Sequence, residues 1–300
     1  MREPSRSGAK AGVKSGASSA AALSGAKGAR FADLGPRIGS AAALIATALV
    51  ALYVGGDAFA LFWLLAGFAV SWEWQSIVGG EMALARFALG GAALAGATAF
   101  AAHGGGPLAL VALAFFSAVL AILAGPGRRL WAPAGLLYAG SLIVSTNVLR
   151  HSPDYGAISI AWLFAVVWGT DVMAYFGGRL IGGPKLWPRV SPGKTWSGTL
   201  VGLACGALAG VGVVHLSRWS ASATLPLFFV GLVAAALAQA GDLFESWIKR
   251  RFGVKDSSHL IPGHGGVMDR VDGFIFASAF AALLGGLRGQ ESLAAGIFIW

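Results

Sequence analysis

The chain has 300 residues, 56% of them hydrophobic and only 12% charged, with 22 Lys and Arg against 13 Asp and Glu, a formal charge of +9 and a mean hydropathy of +0.72. Repeated apolar runs of about twenty residues match a bilayer core roughly 30 Å thick, which excludes a soluble globular chain and favours helices over the alternating strands of a barrel. The single cysteine, Cys205, lies in an apolar run, which excludes a disulfide framework and a cysteine metal site.

Residues 1 to about 36 are rich in Ser, Ala, Gly, Lys and Arg and nearly free of acids, and they read as a disordered basic tail. A plastid or mitochondrial transit peptide has a similar composition and stays open as an alternative. Residues 37–300 form the membrane domain. Apolar segments follow near 38–54, 58–79, 84–102, 107–125, 130–148, 157–178, 198–216, 223–241 and 273–287, so an all-α polytopic fold with about nine transmembrane helices is expected. The last is the least regular, because Gly285, Gly286, Arg288 and Glu291 interrupt it before Ile297 to Trp300. With the tail placed in the cytoplasm, strict alternation puts 19 cations on the cytoplasmic side and only Arg150, Arg218 and Arg288 on the other. Losing one span would move a basic cluster to the wrong side, so the charge split supports both count and orientation. The positive charge is accounted for in this way and by attraction to lipid or phosphate; no nucleic-acid-binding module is visible, and no nucleic-acid partner is expected.

Trp72, Glu73, Trp74 and Gln75 end the second span; the tryptophans mark the interface, whereas an acid there needs a partner, water or a headgroup. Between the sixth and seventh spans come Asp171, Tyr175, Gly177, Gly178, Arg179, Lys185, Arg189, Ser191, Pro192, Gly193, Lys194 and Thr195. Gly193-Lys194-Thr195 resembles the end of a Walker A loop, but the first glycine of that motif would fall on Pro188 and no strand precedes it, so a P-loop is rejected. The turn can still face phosphate at a helix start. The densest polar stretch runs from Asp242 to Asp272. If the helix continues past Asp242, then Glu245, Ser246 and Lys249 share its face at i+3, i+4 and i+7. Lys249, Arg250, Arg251 and Lys255 suit a polyphosphate, yet they interleave with Asp256, Asp269 and Asp272. Carboxylates do not hold an anionic phosphate by themselves, so Mg²⁺ bound through one or two of them and the substrate oxygens resolves the sign conflict, with a second cation left open. Ile261-Pro262-Gly263-His264-Gly265-Gly266 supplies a turn that approaches a ligand closely. Topology puts both polar clusters on one side of the membrane, where two distant loops can close over one ligand.

Ser246-x-x-Lys249-Arg250, Lys255-Asp256 and Pro262-x-His264-Gly265-Gly266-x-x-Asp269-Arg270-x-Asp272 together resemble the signature of the phosphatidate cytidylyltransferases, or CDP-diacylglycerol synthases. Asp171-x-x-Ala174-Tyr175, Gly177-Gly178-Arg179 and Ser191-Pro192-Gly193-Lys194-Thr195-Trp196 are similar to that family's other loop. The motifs cover roughly residues 165–280, and Ser197 departs from the pattern where many relatives carry glutamate. The resemblance implies transfer of CMP from CTP to phosphatidic acid, with release of pyrophosphate, in phospholipid biosynthesis. It implies Asp242 and Asp269 as metal ligands, with Asp256 and Asp272 as second choices. Lys249, Lys255, Lys194 and Arg270 would neutralise phosphate, while Ser191, Thr195 and His264 would orient it; Asp171 and Tyr175 join the substrate-binding set. CTP, phosphatidic acid and membrane lipids are the implied partners, a homodimer is a family expectation only, and the bacterial inner membrane is the expected location. The competing classes are a cation-coupled transporter, which should carry charges at mid-membrane, and a CTP-dependent lipid kinase, which would not release pyrophosphate.

Overall fold

The structure, a computed structural model, describes residues 34–80, 82–217, 223–261 and 265–300, with side chains in the first helix from Gly39 onward. Residues 1–33 of the basic tail and His264 lie outside the described residues, and the first helix takes in the tail's last residues from Leu34. The chain forms α1 (Leu34–Val54), α2 (Gly56–Val78), α3 (Ala83–Ala102), α4 (Gly106–Leu123), α5 (Trp131–Arg150) and α6 (Gly156–Leu180). A short hairpin of β1 (Lys185–Trp187) and β2 (Ser191–Thr195) follows, then α7 (Trp196–Leu216), α8 (Thr224–Arg251), α9 (Met268–Arg288) and α10 (Ala295–Phe298). Helices α2 to α9 are each long and apolar enough to cross a membrane, and the described apolar part of α1, Gly39–Val54, is shorter. The chain is thus an all-α polytopic membrane protein, as its hydropathy requires: in lipid each helix satisfies its own backbone.

Four features depart from the segments expected from hydropathy. Helix α8 continues past residue 241 to Arg251, because side-chain pairs replace apolar burial: Ser246 Oγ reaches Asp242 Oδ1 at 3.5 Å and Lys249 Nζ reaches Glu245 Oε2 at 2.7 Å, each one turn apart. It stops at Gly253, whose φ of +75° lets the Val254 amide donate back to the Lys249 carbonyl at 2.9 Å. Helix α9 starts at Met268, so Asp269 and Asp272 belong to its first turns. The turn between α6 and α7 contains an antiparallel hairpin pairing Lys185 with Thr195 and Trp187 with Ser191. Helix α9 itself runs through Gly285 and Gly286; the break comes at Gly289, after which α10 folds back, with Phe298 stacked on Tyr155 and edge-on to Trp162.

Close helix approach rests on glycine, as expected where small residues drive packing in lipid. A Cβ added at Gly202 would lie 2.7 Å from the Thr170 carbonyl, and one at Gly206 would run into Thr170 Oγ1, so α6 and α7 touch nearly backbone to backbone. Where α8 crosses α9, a Cβ at Gly241 would lie 2.5 Å from the Asp272 carbonyl and one at Gly273 2.9 Å from that of Ala238. This crossing places Asp242 beside Asp272. Aromatic stacking firms the wall behind it: Trp63 stacks on Phe274 with centroids 5.0 Å apart, and Trp74 packs with Tyr138 and Phe244. Such pairs contribute about 0.5–1.5 kcal/mol each beyond their buried area.

Candidate active site

One cavity of about 1660 Å³ joins the end of α6, the hairpin, the polar end of α8, the α8–α9 loop and the start of α9. It exceeds the roughly 300–1,000 Å³ that a single small ligand occupies. The two polar clusters therefore meet, as topology required. Six bases (Arg179, Lys185, Lys194, Lys249, Lys255, Arg270) and six acids (Asp171, Asp242, Glu245, Asp256, Asp269, Asp272) line it. The other wall is apolar, formed by Leu44, Ile45 and Ala48 of α1, Phe62, Leu65 and Ala66 of α2, Trp168 of α6 and Phe274 of α9.

Two charge networks organise the polar end. In the first, Lys194 Nζ lies 2.7 Å from Asp242 Oδ2 and donates to Gln239 Oε1 at 2.9 Å, while Gln239 Nε2 donates to Asp171 Oδ1 at 3.4 Å. The hairpin is thereby tied to α8 and, through the amide, to α6. Asp171, Asp242 and Asp272 also feel one another's charge. In the second, Lys249 sits between Glu245 and Asp269, bonded to both. Asp269 Oδ2 accepts from the Ser257 hydroxyl at 2.7 Å, the Ser257 amide at 3.2 Å and the Gly266 amide at 2.8 Å. Lysine at position 249 is thus aimed by two carboxylates from different helices.

The residues singled out from sequence are distributed unevenly. Asp171, Tyr175, Lys194, Thr195, Asp242, Lys249, Lys255, Asp256, Asp269, Arg270 and Asp272 all line the cavity. Tyr175 is held from its own helix, its hydroxyl accepting from Arg179 Nη1 at 2.7 Å. Thr195 caps α7, Oγ1 accepting from the Gly198 amide at 3.2 Å. Ser191 stands at the far end of β2 opposite Trp187 and is not part of the cavity wall. Ser197 is not part of it either: its hydroxyl donates to the Gly182 carbonyl and ties the start of α7 to the end of α6.

Glu73 is fully buried and accepts four hydrogen bonds from the α8–α9 loop and the start of α9. Burying an unpaired carboxylate costs several kcal/mol, which the three donors Glu73 does not share, at roughly 1.5–3 kcal/mol each, offset; the Ser257 proton is shared with Asp269. Glu245, which the helical stripe singled out without a role, also lines the cavity, as do Gln239 and His259, which were absent from the candidate set. Gln239 had a signal, an amide inside an apolar run three residues before Asp242 and so on the same stripe. His259 had none beyond its loop.

For a metal, the donor set is of the right kind. The acids offer hard carboxylate oxygens, and Mg²⁺ takes one or two of these while keeping water and substrate phosphate as its other ligands. Among the described residues no three acids, histidines or cysteines converge closely enough to hold an ion alone, a pattern that suits a cation sharing its shell with a nucleotide. Asp242 meets Lys194 and, at long range, Ser246, and Asp269 Oδ1 meets Lys249. A carboxylate has about four lone-pair sites; Asp242 meets two donors, whereas the four donors on Asp269 already fill that number, so Asp269 would take a metal by giving up one of them, such as Lys249.

Fold and site together define a membrane-embedded enzyme in which charged helix ends at one end of the bundle enclose a site with an apolar side wall. The chain belongs to the cytidylyltransferase family, whose model matches residues 36–287. It is 39% identical over 271 residues to a phosphatidate cytidylyltransferase of Brucella abortus strain 2308, covering 89% of this chain and 98% of that protein. It is 34% identical over 190 residues to the Rickettsia felis phosphatidate cytidylyltransferase, covering 57% of this chain and 84% of that one. With the Haemophilus influenzae phosphatidate cytidylyltransferase it shares 41% identity over 145 residues, 47% of this chain and 50% of that protein.

Proposed function

We propose that this protein transfers CMP from CTP to phosphatidic acid, giving CDP-diacylglycerol and pyrophosphate, from the cytoplasmic side of a bacterial inner membrane. The observation that carries this reading is a single cavity with a charged end and an apolar wall of α1, α2 and α6. A water-soluble nucleotide suits the first and acyl chains suit the second.

In the reaction an oxygen of the lipid phosphate attacks the α-phosphorus of CTP; a new P–O bond forms and the bond to pyrophosphate breaks. The phosphate monoester is nucleophilic near neutral pH, so no strong base is needed. Charge builds on non-bridging oxygens and on the leaving pyrophosphate, where positioned cations act without a covalent intermediate. Lys249 is held rigidly by two carboxylates and suits the transferred phosphoryl group; Lys185 and Lys255 form no ion pair with a carboxylate among the described residues, leaving them to the outer phosphates. Asp242 and Asp269 would hold Mg²⁺, with Asp272 next to Asp242, and the ion would supply charge neutralisation at phosphate oxygens. The equal number of acids and bases supports that assignment, since a polyanion enters a balanced site more readily with its own cation.

Purified protein in detergent, given CTP, Mg²⁺ and phosphatidic acid, is expected to produce CDP-diacylglycerol and pyrophosphate in equal amounts. Phosphorylated lipid with CDP and no pyrophosphate would assign a lipid kinase instead. Neither product from folded protein would end the enzyme reading in favour of a transporter.

A further inference from the structure

We infer that Glu73, on a helix outside the signature motifs, is a positioning residue for the reaction: its carboxylate sets the α8–α9 loop and the start of α9 in place. Glu73 does not line the cavity, so it acts on substrate only through what it holds. Its two oxygens divide the work. Oε1 accepts from Ser258 Oγ at 2.6 Å and the Val267 amide at 2.8 Å; Oε2 accepts from Ser257 Oγ at 3.0 Å and the Met268 amide at 2.7 Å.

The two amide donors explain why an acid is required. Val267 and Met268 open α9, where amides have no partner within the helix and the helix dipole presents positive charge. No side chain at the Val267 N-cap supplies that partner. Glu73 supplies it from α2, almost 200 residues earlier in the chain. The same loop is pinned from the other side by Asp269 through Ser257 and Gly266. Ser257 Oγ has one proton and lies within reach of both carboxylates, 2.7 Å from Asp269 and 3.0 Å from Glu73. Gly266 leaves the room this needs, because a Cβ there would meet Ser257 Oγ and Glu73 Oε1. The loop carries Lys255, Asp256 and His259, and the helix start carries Asp269, Arg270 and Asp272. One buried carboxylate therefore fixes six cavity-lining side chains relative to α8, where misplacement by about 1 Å can lower turnover by roughly a hundredfold.

The inference rests on the cytidylyl-transfer reading, and two measurements keep the two apart. In Glu73→Gln an amide nitrogen faces two donors, so hydrogen–deuterium exchange across residues 255–270 should rise while the α3–α4 hairpin is unchanged. This readout does not depend on the activity. In the CDP-diacylglycerol assay kcat should fall at least about tenfold, with KM for CTP changing less than about threefold. Ser258→Ala removes one donor and should shift both readouts the same way by less. Glu73→Gln combined with Ser258→Ala should be no worse than Glu73→Gln alone. If Glu73→Gln loses protection throughout the bundle, Ser258→Ala decides. Unchanged loop exchange, unchanged kcat, or additive losses in the double variant would each overturn the assignment. A wild-type protein with no CDP-diacylglycerol product but with the loop loosened in Glu73→Gln would overturn the reaction and leave the anchor standing.

Discussion

At the scale of single residues, the site depends on carboxylates that do different work despite similar surroundings. Asp269 accepts three donors on one oxygen and Lys249 on the other. Replacement by asparagine puts an amide nitrogen against one of those sets and removes the charge a metal needs. Asp269→Asn and Asp242→Asn are each expected to lower CDP-diacylglycerol formation at least about a hundredfold; near-normal turnover in either would remove that residue from the metal assignment. Thr195 faces the same cavity but spends its hydroxyl as the cap of α7. Thr195→Ala should therefore cost about 1 kcal/mol of stability, measured by thermal unfolding in detergent. A raised KM for CTP with unchanged stability would return it to nucleotide binding. The stripe of Asp242, Glu245, Ser246 and Lys249 was legible because helical spacing alone aligns it. The partners of Asp269 were not, since Ser257 has no distinguishing spacing and gains its role only when the loop folds back.

At the scale of elements, nine apolar segments were legible from hydropathy because lipid tolerates only internally bonded backbone. Where helices leave the membrane that rule lapses, which is why the continuation of α8 past Asp242 stood only as a condition and the first turns of α9 and the β-hairpin were not evident. The pairing of α6 with α7 was signalled by glycines, but which glycines touch is a matter of rotation about the helix axis. Gly206 and Gly212 lie on one helix with opposite surroundings: a Cβ at Gly206 meets Thr170 and the Val166 carbonyl, whereas nothing lies within 4 Å of one at Gly212. Gly206→Ala should destabilise the protein by roughly 1–3 kcal/mol through overpacking. Gly212→Ala should be neutral or slightly stabilising, as a helix favours alanine. Thermal unfolding of both variants in one detergent checks the contrast, and equal melting temperatures would mean that α6 and α7 do not pack on this face.

For the whole molecule, sidedness follows from parity and charge. The α2–α3, α4–α5, α6–α7 and α8–α9 connections share one end of the bundle, and Glu73 at the end of α2 already touches the α8–α9 loop there. The cavity gathers residues of the α6–α7 hairpin and the α8–α9 loop at that end. That end carries most of the chain's cations, which supports the proposed cytoplasmic placement of the site. An exposed residue on each side tests this without entering the site: Arg189 in the hairpin turn and Asp154 between α5 and α6, the latter at the opposite end. In a Cys205→Ser background, Arg189→Cys should react with a membrane-impermeant maleimide only after inside-out vesicles are prepared. Asp154→Cys should react in intact spheroplasts. The reverse pattern would place the catalytic end outside and separate it from its nucleotide. Labelling of both positions from one side would mean that α6, the one helix between them, does not cross the membrane.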